Sequence, residues 1–429
     1  MTIRLAATAA LLLGGAGPAP AEDLDRPPIR YTDTAPDTAV SRLEQQLKAK
    51  KLELAHSDEH GYLPAVLKAL DVPLSSQVLV FSKTSLQRGR ISPKTPRAIY
   101  FNDEVTVGFC RNGDVLEVTA SDPHLGTVFY TVEQRADRTP RFTRQTESCL
   151  ICHGSSSNQG YPGHLIRSVS PDAHGELVLS RGSKRVDHTT PFDDRWGGWY
   201  VTGTSGKHTH LGNQIVGGWS WAEDDEQPDP SNVTDLRPYF TVANYPSPHS
   251  DLVALMVLEH QGEGYNRITR AGMRVRQALH EQAALNKATG EPADKRRESI
   301  TRRIEWACEP VVQYLLFSEE AKLSGPVRGT SDFAKEFAAR GPFDSRKRSL
   351  REFDLATRMF RYPMSYLVYS RQFDGLPAEA KDRIYLRLHE VLTGRDQSKP
   401  FAHLSKDDRA AVLEILRETK PGVPDYWKK

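Results

Sequence analysis

The sequence predicts an α+β fold: an antiparallel β-meander and a loop-rich region, followed by a mainly helical C-terminal domain. Three observations predict it. Apolar runs between residues 77 and 132 alternate with turn residues. Residues 154–245 are rich in Gly, Ser, Pro and Asp and hold only short apolar runs. From Ser250 onward apolar residues recur at helical spacing.

Taken in order, Arg4 precedes an apolar run from Leu5 to Leu13, and Ala19-Pro20-Ala21 forms a small-residue cleavage site. Residues 1–21 therefore read as a secretory signal peptide. Their removal from the 429 residues leaves 408 and takes the formal charge from +2 to +1, because Arg4 leaves. So balanced a chain has no global bias toward nucleic acid or anionic membrane. No later run is apolar enough for a membrane span. The Pro- and Asp-rich residues 22–37 read as a linker.

Residues 38–245 are expected to form the α+β domain. Ser41-Arg42-Leu43-Glu44 reads as a capping box opening a helix that carries Leu43, Leu47 and Leu54. A short helix fits Leu63–Leu70. Strands fit Gln77–Ser82, Ala98–Phe101, Val105–Cys110, Val115–Thr119 and Gly126–Val132. Asn112-Gly113 is a hairpin signal, since both residues tolerate positive φ. Short strands also fit His164–Ser170, Leu177–Ser180 and Trp199–Thr202, and residues 222–226 open an acidic loop. Residues 246–429 are expected to be helical. Helices fit residues 250–285, Arg297–Leu323 with a kink at Pro310, Leu350–Arg371, Ala378–Leu392 and Lys406–Glu418.

Cys149-Leu150-Ile151-Cys152-His153 is the most informative stretch. Two thiols two residues apart, followed by an imidazole, make the attachment pattern of c-type haem. Each thiol forms a thioether with a vinyl group, and the adjacent His ligates the iron. A zinc site would need further donors, and no second C-x-x-C exists. A redox dithiol would need a βαβ setting, which is not found. The export signal and the motif support each other, because bacterial haem c is attached outside the cytoplasmic membrane. The motif follows a β-meander and is expected in a loop, so the haem is grafted onto a larger body and does not nucleate a small cytochrome.

Arg97 to Val132, the C-x-x-C-H motif, Gln159-Gly160 to Pro162-Gly163, and Pro191 to Gly203 with its Trp196-Gly197-Gly198-Trp199-Tyr200 core carry a wider likeness. With Leu252–Gln261 and Arg409–Trp427 they resemble a family of exported bacterial cytochrome c domain-containing proteins with one haem motif and no assigned role. The resemblance implies one covalent haem c and a periplasmic or otherwise exported location. It implies no chemistry.

The expected function is electron transfer by an exported mono-haem c-type cytochrome. The partner would be a redox protein or a small-molecule substrate. The alternatives are a haem enzyme, such as a peroxidase or a small-molecule oxidoreductase, and a haem-based ligand sensor. His153 is the expected proximal ligand. His260 and His210 are the leading candidates for the distal ligand, ahead of Met364 and Met256, and an open distal face is a further alternative. His208 and Met359 lie beside these candidates. Trp196, Trp199, Tyr200, Trp219 and Trp221 either wall a porphyrin or fill the core under long loops. Arg195 and His188 are candidates for the propionates, with Asp193 and Asp194 as the competing partners of Arg195. The basic run Lys295-Arg296-Arg297 with Arg302-Arg303 reads as a solvated helix face, with a docking patch as the alternative. Cys110 and Cys308 either pair or stay as buried thiols.

Overall fold

The computed structural model describes residues 24–219 and 229–428. The segment read as a signal peptide, Trp221 and the segment read as an acidic loop at 222–226 lie outside the described residues.

Helix α1 (Ala39–Lys48) turns Val40 and Leu43 inward, and α2 (Leu63–Ala69) turns in Leu63, Val66 and Leu67. The cap of α1 is one turn upstream of its expected place: Thr38 Oγ1 accepts from the Ser41 amide, and Ser41 Oγ closes the box. Thr38 is the stronger cap because its hydroxyl also meets Tyr130 Oη at 3.0 Å. The segment read as a linker is packed from Leu24 onward. Leu24, Ile29 and Tyr31 are buried, and Tyr31 Oη donates to the Thr127 carbonyl at 2.8 Å.

The strands are β1 (Val78–Val80), β2 (Arg97–Phe101), β3 (Val105–Phe109), β4 (Val115–Asp122), β5 (Gly126–Glu133) and β6 (Thr143–Gln145). The β3–β4 turn uses Asn112 at φ 54°. A small ribbon follows, β7 (Arg167–Val169) with β8 (Ser183–Arg185). Leu177–Ser180, expected as a strand, instead makes a bridge from Leu177 to Pro171 and enters a 3₁₀ turn at Leu179–Arg181. Strand β9 (Trp199–Tyr200) then returns to pair with β1. The result is a seven-stranded antiparallel sheet, ordered β6-β5-β4-β3-β2-β1-β9. A second ribbon joins β10 (Gly203–Thr204) to β11 (Arg328–Gly329).

The period of two sends alternate strand residues to two cores. Leu79, Ala98, Tyr100, Val107 and Val118 pack with α1 and α2. Val78, Val80, Ile99 and Phe101 face the other way, into the core of the helical half. That half is built on α4 (Leu252–Ala288), 37 residues and about 55 Å long. Asp251 caps it by accepting from the Val253 and Ala254 amides, both at 2.9 Å. Packed with it are α5 (Glu298–Leu315), α6 (Phe333–Ala339), α7 (Arg371–Asp374), α8 (Ala378–Leu392) and α9 (Lys406–Thr419). Pro310 lies within α5.

The helix expected over Leu350–Arg371 does not form. Asp354 Oδ1 accepts from the Ala356 and Thr357 amides at 2.7 Å each, Leu355 takes φ 56°, and Phe353 bridges Phe360. The Asp side chain offers the backbone a turn in place of a helical ladder. Pro363 then denies an amide to any helix continuing past it. Cys110 and Cys308 are both buried free thiols.

Candidate functional site

The motif occupies a single helical turn, α3 (Leu150–His153), with Cys149 at its N-cap; the loop expected there is one turn of helix. The His153 amide donates to the Cys149 carbonyl at 2.9 Å, and the Gly154 amide to Leu150 at 2.8 Å. The turn ends because the chain folds back on itself. Asn158 is buried and donates through Nδ2 to the Tyr161 carbonyl at 2.6 Å, Gln159 and Gly160 take positive φ, and the Gly163 amide returns to the His153 carbonyl at 3.2 Å.

That closure orients His153. Its Nδ1 lies 2.8 Å from the Gly163 carbonyl, so Nδ1 carries the proton and Nε2 holds a free lone pair. Nε2 has no hydrogen-bond partner among the described residues. The ring rests on Phe129, centroids 4.8 Å apart, and burial pushes its pKa down, which keeps the imidazole neutral. Gly163 must be glycine here, since a Cβ would overlap the Asn266 and Asn158 side chains.

The thiols lie at the edge of the same turn. Cys149 is half-buried and Cys152 exposed, and both are free. Burial raises the Cys149 pKa, with Glu117 as the next cause. Ile151 between them is 76% exposed, an apolar side chain left in water beside two thiols. Below lies the α4-facing side of the sheet, which in β4 and β5 becomes polar and half-open with Glu117, Thr119 and Thr131. Arg97 reaches across from β2 to Glu117 at 2.7 Å, and its buried Nε has no partner. A Cβ at Gly108 would overlap this guanidinium.

The loop after the motif is fastened to α4. Asn266 Oδ1 accepts from the His164 amide at 2.8 Å, and Asn266 Nδ2 donates to the His164 carbonyl at 2.9 Å. Arg185 donates to the Ser157 carbonyl at 2.7 Å and pairs with Glu263 of α4. His164 was not singled out by the sequence. Its one signal there was its place directly after Pro162-Gly163.

The other candidate ligands lie elsewhere. His260 is buried in the helical core, with Nδ1 2.7 Å from His188 Nδ1 and Nε2 2.7 Å from Ser365 Oγ. Phe317 and Tyr314 stack on its ring. Both of its nitrogens are occupied. His210 packs against Trp196 and accepts from the Gly212 amide at 3.1 Å. Burial lowers its pKa to about 4. Met256 and Met364 fill the helical core, as does Met359. His208 Nε2 accepts from the Ser324 amide at 2.9 Å. No hydrogen bond or ring contact joins any of these residues to the motif among the described residues.

Arg195 is paired neither with Asp193 nor with Asp194. It meets Glu259 of α4 at 3.1 Å, in the buried core, and Trp196 Nε1 donates to the same carboxylate. Asp194 pairs with Lys184 at 2.6 Å. Burial pushes the Glu259 carboxyl up, opposed by its ion pair with Arg195 and by the Trp196 indole. This pair was illegible because Glu259 is distant in sequence. Trp196 and Trp199 belong to the helical core, while Tyr200 packs with Phe81 and Trp219 on the opposite sheet face. The aromatic cluster is thus divided between two cores.

Fold and site together define an α+β protein carrying a C-x-x-C-H turn on a half-open sheet face. Comparison with known families, with curated proteins and with solved structures finds no match to this chain. Among the described residues no three His, Cys, Asp or Glu converge to hold a metal ion with protein donors alone. Nor is any helix among them long and apolar enough to cross a membrane.

Proposed function

We propose that this chain is an exported mono-haem c-type cytochrome that transfers electrons through covalently bound haem. One observation carries the reading: a single turn presents two free thiols, one half-buried and one exposed, and an imidazole whose Nδ1 is held while Nε2 is free. That is the arrangement porphyrin attachment and axial ligation require. When bound, haem c supplies a one-electron ferric/ferrous couple. Cys149 and Cys152 would hold the porphyrin. His153 would ligate through Nε2, with the Gly163 carbonyl fixing its tautomer and raising its basicity. Phe129 shields one side of the imidazole from water. Exposure of Cys152 and Ile151 would leave an edge of the group open to a redox partner.

The signal-like N-terminus and the resemblance to exported cytochrome c domain-containing proteins support a periplasmic location. The test is expression with haem-maturation machinery. The wild type should keep haem stain on a denaturing gel, because thioethers survive denaturation. The variant with Cys149→Ala and Cys152→Ala should lose it. A double variant that still stains would sink the reading.

A further inference from the structure

We propose that Arg185, Arg267 and Arg270 form a binding site for a small oxyanion beside the motif loop. The inference goes beyond the haem reading and does not rest on it. It begins from a charge count. Glu263, Arg267 and Arg270 stand four and seven residues along α4 from one another's start and so share one face. Arg267 Nε meets Glu263 Oε1 at 3.0 Å, and Arg270 Nη2 meets the same oxygen at 2.9 Å. Arg185, the last residue of β8, reaches across to Oε2. Three guanidiniums thus share one carboxylate, and among the described residues none of them makes another ion pair. The cluster is left with an excess of positive charge.

The cluster is also short of an acceptor. Arg270 is buried, and its Nη1 has no hydrogen-bond partner. A buried donor on a charged group is costly to leave unpaired. Burial pushes the Arg270 pKa down against the pull of Glu263, and Arg267 and Arg185 add to the shift. An oxyanion supplies both missing things, the negative charge and an acceptor that fits the planar guanidinium fork. The donors are held in place. Arg185 donates to the Ser157 carbonyl at 2.7 Å, and Arg267 lies over the Tyr314 ring, 4.6 Å from its centroid. The Arg185 and Arg267 side chains are 33% and 27% exposed and that of Arg270 only 10%, so the site has an outer end open to solvent and an inner end closed to it. Asn266 links it to the motif. Its side-chain amide donates to Glu263 Oε2 at 3.3 Å, and its Oδ1 holds the amide of His164, next after the Gly163 that meets His153 Nδ1. An anion bound here would brace the loop that orients His153.

The test is a titration of the full chain with inorganic phosphate, exchanged for chloride at constant ionic strength and followed by calorimetry and by the thermal unfolding midpoint. The wild type should show one saturable site and a midpoint that rises to a plateau. Arg185→Gln, at the outer end, should fold and bind phosphate about tenfold more weakly, the loss of one charge-assisted hydrogen bond. Glu263→Gln should move the other way. It removes the competing carboxylate, so the variant should be less stable in chloride and reach half-saturation at lower phosphate than the wild type. An ion-pair network with no ligand would lose stability in both variants and respond to phosphate in neither. A wild type without a saturable response overturns the inference, and so does an Arg185→Gln protein that binds phosphate as tightly as the wild type. These two measurements decide the matter even if Glu263→Gln fails to fold. Either failure leaves the haem reading untouched, because no residue of the site belongs to the motif.

Discussion

His260 and His153 are both histidines in apolar surroundings, and their environments differ in one decisive respect. His260 has Ser365 on one nitrogen, His188 on the other and aromatic rings across its faces. His153 has a carbonyl on one nitrogen and nothing on the other. The first is what a stable core does with a polar side chain. The second is a group oriented and left available, beside two free thiols and an exposed isoleucine. A place on a well-ordered element does not leave a histidine nitrogen free beside the motif; His153 has one.

Three perturbations sharpen the comparison, beginning with the largest. Arg195→Ala strands a buried carboxylate and should cost about 3–5 kcal/mol in urea unfolding. Haem stain in the surviving folded protein should be unchanged, because this network does not touch the motif. Acid should act next. The folded pKa of His210, about 4, lies below its unfolded value near 6.5. Its contribution is whole above pH 6.5 and is lost as pH falls toward 4, at most about 3 kcal/mol. His188 and His260 are shifted in the same direction by burial and steepen the loss. His210→Gln should flatten the fall in urea midpoint between pH 6.5 and 4.5; an unchanged slope would contradict its buried neutral state. The smallest effect on stability belongs to the motif. His153→Ala removes one hydrogen bond and should cost about 1 kcal/mol. It should nevertheless abolish haem maturation or shift the Soret band. A matured variant with an unchanged spectrum would rule out the ligand role.

Local chemistry was the legible part of this molecule. The meander could be read because Asn112-Gly113 supplies a turn and the residues of β4 alternate between a buried and a half-exposed face. Helices α8 and α9 lie where apolar spacing puts them. What failed depended on distant partners or on competing side chains. Strand β9 was anticipated as a strand, but its pairing with β1 joins residues 79 and 200. The helix expected near residue 360 lost to the Asp354 turn. The motif itself was plain, since covalent chemistry dictates its spacing. Of the distal candidates, His260 was favoured for its place on a helix and His210 for following the Trp-rich segment, and both are packed into cores away from the motif.

Intact-mass spectrometry of the purified full chain, expressed with haem-maturation machinery and measured under denaturing conditions, tests the central claim most directly. The account predicts the polypeptide mass plus one haem, carried by a tryptic fragment containing Cys149 and Cys152. A bare polypeptide mass from a folded protein made in a host that matures other c-type cytochromes would contradict it.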